Sequence, residues 1–210
     1  MKRWRCALAR PREFDEGAVL DAVRDCFWAR GYEATSMRDL ADATGLTCAS
    51  LYNAFGDKQA LYRRALDHYL AATLDERIPR LERTLPPREA LRAYFGEVIA
   101  RSLGDKGHRG CMLVNSALDA AAFEPKLQRE IGDKISRIEA FFLGRIEAGQ
   151  KDGTITTAQP AADLARQFLG LLMGLRVLVR VRPEPDLLEG LIRPAFAALD
   201  PAPKARRRAS

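Results

Sequence analysis

Thr35-Ser36-Met37-Arg38-Asp39-Leu40-Ala41-Asp42-Ala43-Thr44-Gly45-Leu46-Thr47-Cys48-Ala49-Ser50-Leu51-Tyr52-Asn53-Ala54-Phe55 reads as two short helices around a glycine turn. Ser36 with Asp39 three residues on matches a capping box, with Asp in place of the usual Glu or Gln. Leu40 and Ala41 face inward, and Gly45 ends the first helix. Thr47 caps the second, which runs through Phe55. The spacing gathers Leu40, Leu46, Leu51 and Phe55 into one small core. Neither helix is large enough to fold alone, and the pair has the plan of a helix-turn-helix. Thr47, Cys48, Ala49, Ser50, Tyr52 and Asn53 are left on or near the exposed start of the second helix. Small residues there let a backbone approach DNA. Hydroxyls and the helix N-terminus hold phosphates. Asn53 suits an adenine edge, and Tyr52 a phosphate or a thymine methyl. Lys58, opening the next helix, suits the DNA backbone.

Working outward, almost every segment reads helical. Val, Ile and Thr never gather into alternating runs, so the fold class is all-α. A first helix from Asp15 to Arg30 carries Val19, Ala22, Val23, Cys26 and Phe27 as its buried stripe, and Gly31 stops it. A helix from Lys58 to Asp75 follows the motif. Pro79 is expected to close it, with a domain boundary nearby. Helices then open at Pro86-Pro87, Cys111, Pro125, Pro160 and Asp186. This organisation gives a helix-turn-helix domain over 12–72, with its motif at about 35–54, a shape that serves DNA binding or sits inside an ordinary helical bundle. A larger helical domain follows over 80–200, and residues 1–11 and 201–210 are basic flexible ends.

Composition narrows the class. The chain has 210 residues, 47% hydrophobic and 30% charged, an ordinary globular balance. No stretch approaches the roughly 20 apolar residues of a membrane helix. The basic start lacks the apolar core of a signal peptide, so a cytoplasmic protein is expected. Cys6, Cys26, Cys48 and Cys111 form no C-x-x-C pair, and His68 and His108 complete no zinc pattern. Free thiols and neither metal nor cofactor are expected. Cys26 belongs in the core, and Cys6 is incidental. The net charge of +6 sits at the ends. Lys2, Arg3, Arg5, Arg10 and Arg12 make one arm, and Lys204, Arg206, Arg207 and Arg208 the other. The N-terminal arm suits phosphates or a minor groove, or is a plain tail. The C-terminal run reads as a solubilising tail. Residues 13–68 hold six basic and ten acidic side chains, unusual beside DNA.

The motif resembles the TetR-type (tetracycline-repressor-like) family of bacterial transcription regulators. The resemblance rests on Phe27-x-x-x-Gly31-Tyr32-x-x-Thr35-Ser36-Met37, Leu40-Ala41-x-x-x-Gly45 and Ser50-Leu51-Tyr52-x-x-Phe55-x-x-Lys58-x-x-Leu61. It implies a helix-turn-helix domain, then a divergent effector-binding and dimerisation domain. It further implies a homodimeric repressor on a palindromic double-stranded operator. The DNA-side residues are then Thr35, Ser36, Thr47, Cys48, Ala49, Ser50, Tyr52, Asn53 and Lys58. Cys48 departs from the basic or polar residue often found at that place, and sets a thiol where DNA should lie.

In the second domain, Phe95, Ile99, Met112, Leu113, Phe141, Phe142, Phe168 and Leu172 either line an apolar ligand cavity or form plain core. The helix over 161–181 is apolar on more than one face and must bury both. Leu171, Leu175 and Leu178, with Leu188, Ile192 and Phe196 of the last helix, are the expected dimer interface. His108-Arg109-Gly110-Cys111-Met112-Leu113 resembles a Gly-Cys-Leu/Met segment of one branch of the family. Cys111 lies at or near a helix start beside Arg109 and His108, surroundings that favour a thiolate. Two readings stand, a thiol sensor and a small packing residue. The effector is thus a small molecule or an electrophile. An alternative function is a DNA-bound scaffold whose second domain docks a protein. Catalysis would need a nucleophile, a base and an oxyanion donor together, and Cys111 with His108 does not supply them.

Overall fold

The computed structural model describes residues 14–201. The expected arms and Cys6 lie outside them. Ten α-helices follow in order: α1 (Glu16–Arg30), α2 (Met37–Thr44), α3 (Cys48–Phe55), α4 (Lys58–Leu70), α5 (Arg77–Thr84), α6 (Pro87–Gly104), α7 (Met112–Leu118), α8 (Pro125–Asp152), α9 (Ala161–Leu178) and α10 (Pro185–Ala197). The described residues contain no strand.

Local bonds set the first helix starts. The Asp15 carboxylate accepts from the Gly17 amide at 2.9 Å, and Asp57 from Ala60 at 2.7 Å. Thr47 Oγ1 accepts from the Ser50 amide at 3.1 Å. Ser36 Oγ accepts from the Asp39 amide, while Asp39 accepts from the Ser36 amide at 2.8 Å, so the capping box is complete. Each such cap is worth about 1 kcal/mol. α1 packs on α2 and α4, and α3 packs on α2 and α4. Val23, Phe27, Leu40, Leu51, Leu61 and Ala65 are buried between them.

Pro79 does not close the helix begun at Lys58. α4 ends at Leu70, a widened π-type turn spans Ala71–Asp75, and α5 continues to Thr84. A proline ring in a helix collides with the carbonyl four residues back, here Asp75. The widened turn ends on that residue, and a π-type turn is the usual place where a helix absorbs such a fault.

In the second half, α6, α8, α9 and α10 close around aromatic rings. Phe95 meets Phe168 edge-on at 5.6 Å and stacks near Phe142 at 5.7 Å. Phe196 meets Phe168 edge-on at 5.2 Å. Phe95, Ile99, Met112, Leu113, Phe141, Phe142, Phe168 and Leu172 are all buried. Phe95, Phe141, Phe142 and Phe168 fill space with one another, so the expected cavity is core there. A cavity of about 430 Å³ opens instead between α6 and α10, over Ile99, Leu103, Ile192 and Phe196.

α7 joins the two halves. Ser116 Oγ donates to the Met112 carbonyl at 2.7 Å, which commits its only proton. The Tyr62 hydroxyl of α4, 2.7 Å away, is therefore the donor to Ser116. Burial pushes the Tyr62 phenol up to about 12, so it stays protonated and donating. Just past α7, Phe123 packs on Tyr32 at 4.7 Å and on Tyr62 at 5.0 Å.

Candidate DNA-binding face and the Cys111 strap

The start of α3 presents Thr47, Ala49, Tyr52 and Asn53 to solvent, with Ser50 half-buried. Tyr52 is 50% exposed, unusual for a large ring and available to a partner. The Thr47 and Ser50 hydroxyls lie 2.9 Å apart and pair with each other. Ser36, exposed, caps α2 beside them.

Three expected DNA-side residues are placed otherwise. Thr35 is fully buried, and its hydroxyl donates to the Gly31 carbonyl at 2.7 Å. It holds the α1–α2 turn and has no surface to offer DNA. Cys48 is half-buried and directs its thiol at the Met37 carbonyl, 3.6 Å away. The sulfur therefore packs α3 on α2 instead of facing outward. Lys58 lays its ammonium over the Tyr32 ring at 4.2 Å. Arg38, exposed on α2, has no ion-pair partner among the described residues, and the motif reading passed over it.

Most acidic side chains around the motif have local partners, which leaves the region's net acidic charge in place. Asp15, Asp39 and Asp57 cap helices. Glu16 pairs with Arg64, Asp21 with Arg24 and His68, and Asp67 with Lys134.

Residues 105–111 form a strap from α6 to α7 that lies on α1. The Trp28 indole donates to the Arg109 carbonyl at 3.1 Å, and Asn115 donates to the same oxygen at 3.0 Å. The Arg109 guanidinium covers the Trp28 ring at 4.1 Å and pairs with Asp25 at 3.1 Å and Asp105 at 3.0 Å. Burial raises the Asp105 carboxyl, but bonds from Arg109 outweigh it and hold the group below its ordinary range. Arg109 therefore serves α1 and the strap, and is not the cation for Cys111. His108 sits in the strap with φ +46°.

Cys111 is buried and accepts from the Tyr69 hydroxyl at 3.6 Å. The Tyr69 ring in turn meets Trp28 at 5.1 Å. The space beside Cys111 is lined by Arg77 of α5, paired with Glu97 at 3.0 Å, and by Arg176 of α9. Sequence spacing gave no sign of either, because the strap alone brings Cys111 to them. Cys26, Cys48 and Cys111 are free thiols, and Cys26 is half-buried against the core. Among the described residues no His, Cys, Asp or Glu cluster is arranged to hold a metal ion, and no helix is long and apolar enough to cross a membrane.

The expected interface residues divide. Leu175, Leu188 and Phe196 are buried in their own protomer. They cannot also cover a partner. Leu171, Leu178 and Ile192 keep part of their surface. Val177 and Val181, passed over in the sequence, are 42% and 75% exposed.

An N-terminal three-helix reading head, a bridging helix and a helical second domain define a helix-turn-helix regulator. The chain belongs to the TetR family. Residues 19–65 match the bacterial regulatory proteins of the tetR family, and residues 87–194 match the tetracyclin repressor-like C-terminal domain. The uncharacterised HTH-type transcriptional regulator YezE of Bacillus subtilis is 28% identical over 92% of this chain and 100% of its own length. The HTH-type transcriptional repressor ComR of Escherichia coli is 36% identical over 51% of each chain. A cysteine-substituted form of the TetR family regulator CifR, solved with 26-base-pair operator DNA, superposes with TM-score 0.79. It is 30% identical, covering 91% of this chain and 100% of that one.

Proposed function

We propose that the protein is a homodimeric repressor whose grip on a palindromic operator is set from Cys111 through α7 and the strap. Two-fold pairing presents two copies of α3 to half-sites about 34 Å apart or a multiple of it. The likeness to CifR on operator DNA supports this partner. The observation that carries the regulatory part is the continuity of the strap. Cys111 is bonded to Tyr69, Tyr69 packs on Trp28, and Trp28 bonds the carbonyl of Arg109, two residues before Cys111. A change at the thiol that moves the strap also moves α1, which carries α2 and α4 with it. DNA and modification then oppose each other through one two-state element. An apolar effector in the cavity between α6 and α10 would act on the same α6 whose end begins the strap.

Fluorescence anisotropy tests this on DNA from directly upstream of the protein's own gene. Reduced protein is compared with protein treated with a small thiol-specific methylthiolating reagent. Release in wild type and Cys48→Ser, but not in Cys111→Ser, is the expected result. Treated Cys48→Ser that stays on DNA with Cys111 fully modified overturns the thiol mechanism and leaves the apolar cavity as the effector site.

A further inference from the structure

The interior of the α6–α8–α9–α10 bundle is closed by one phenyl ring from each helix, Phe95, Phe142, Phe168 and Phe196. The cavity of about 430 Å³ lies outside this plug, as a groove between α6 and α10. Its floor is Ile99, Leu103, Ile192 and Phe196, each buried or half-buried. Gly96 lines it from α6 without filling it, and nothing lies within 4 Å of a Cβ built there. The two helices run antiparallel here, since Arg88 at the start of α6 donates to the Phe196 carbonyl near the end of α10, at 3.1 Å. Arg92, one turn on, lies over the Phe196 ring at 4.9 Å. Arg193 then falls opposite Gly96, and Glu189 falls toward Leu103. Arg88 is spent on Asp200. Arg92 and Arg193 line the groove with neither a hydrogen bond nor an ion pair among the described residues. One end of an apolar groove therefore carries two uncommitted guanidiniums.

Width selects the occupant. The stripe from Arg92 to Leu103 is about 16 Å long at 1.5 Å per residue. Spread over that length, the volume leaves a channel about 5–6 Å across, half the width of a helix with its side chains. One extended hydrocarbon chain fits it, and a peptide helix does not. Single bonds of about 1.5 Å advance a chain by about 1.25 Å per carbon, so about twelve carbons span the groove.

We infer that the groove binds a straight-chain monocarboxylate of about this length. The inference deepens the effector reading of the cavity given above by naming its ligand class. The carboxylate meets Arg92 and Arg193, whose planar forks match its two oxygens. The chain covers Ile99 and Ile192 and ends over Leu103. Glu189 at that end repels a second acid group, so a dicarboxylate is disfavoured. Leu187 and Leu191 stand on the opposite side of α10, at about 100° per residue. A second protomer seated on them leaves the groove open. The chain end lies beside the last turn of α6, where the strap to Cys111 begins.

The test is isothermal titration calorimetry on the full-length reduced protein, with dodecanoate, dodecanedioate and dodecylammonium kept below their aggregation limits. One dodecanoate per protomer should bind, at least tenfold tighter than either other compound. Arg92→Gln with Arg193→Gln should weaken dodecanoate tenfold or more and erase its advantage over dodecylammonium. Gly96→Leu fills the channel and should abolish binding. Leucine there meets open space and favours the helix, so this variant should fold. Should it not, the head-group comparisons decide alone. No binding of dodecanoate overturns the inference. So does equal binding of dodecylammonium, or binding that persists in folded Gly96→Leu. Anisotropy on operator DNA separates this site from its regulatory role. Dodecanoate bound with DNA retained supports the groove and overturns its use as an effector site. Release in wild type but not in Gly96→Leu supports both.

Discussion

Gly110 holds φ at +78°, and a Cβ built on it would lie 2.9 Å from the Arg176 carbonyl oxygen. Both facts demand glycine, one through backbone sterics and the other through close approach to α9. The strap can press Cys111 against α9 only because nothing projects there. Gly110→Ala should cost about 1–3 kcal/mol by urea unfolding, the scale of a strained backbone position. It should also raise maleimide labelling of Cys111, since the strap must lift. Unchanged stability and labelling would show that the strap tolerates a methyl group. On the DNA side, Asn53 and Cys48 are neighbours with opposite fates. Asn53 is exposed, while the Cys48 thiol faces the Met37 carbonyl. Asn53→Ala should weaken operator binding by about 1–3 kcal/mol, the worth of a specific base contact. Cys48→Ala should change it by no more than about 0.5 kcal/mol. Anisotropy titrations with equal losses for both would contradict this division.

At the scale of the element, α2 is only eight residues long and depends on its cap. Bonds from the Ser36 hydroxyl and amide, helped by Arg30, hold the Asp39 carboxyl down at about 2. The ordinary value is about 4. A group lowered in the folded state stabilises above its unfolded value, and that contribution is lost as pH falls through the folded one. The stability gap between wild type and Asp39→Asn should therefore be full at pH 6. It should narrow from about pH 4 and close near pH 2. Urea midpoints across that range check the sign, and a gap that widens on acidification would refute it. This helix also shows why much of the fold was legible. Asp15, Ser36 and Thr47 act on amides two or three residues away, so the bond and its signal share one stretch of chain. Prolines opening α6 and α8 are equally local. Pro79 misled because its clash was absorbed upstream, in the turn at Ala71–Asp75. Arg176 was illegible for a different reason. Its neighbours come from α4, α5, α6 and the strap, and no spacing in α9 records them.

For the whole molecule, the surface left over by each protomer's own core would decide how two copies meet in the proposed homodimer. α9 spends Phe168, Leu172 and Leu175 internally. Outward lie the polar Asp163, Arg166 and Gln167 of its first half, then Gly170, Gly174 and Val177, with half-buried Leu171 and Leu178 beside them. Nothing lies within 4 Å of a Cβ built at Gly170 or Gly174. Side chains added there are therefore accommodated in one protomer. Glutamine also favours a helix over glycine by several tenths of a kcal/mol. A partner helix, by contrast, needs that space to approach within about 8–10 Å. Gly170→Gln with Gly174→Gln should thus leave the protomer as stable as wild type or slightly more so. Sedimentation should show it shifted to monomer. Losing the second half-site should cost operator affinity about a hundredfold or more, the usual gain from tethering two sites. The added side chains are neutral, so a change in charge cannot explain the loss. A variant that remains dimeric and keeps wild-type affinity would move the interface away from this face of α9. Binding to an isolated half-site should be the same for both proteins, which separates a failure to pair from damage to α3.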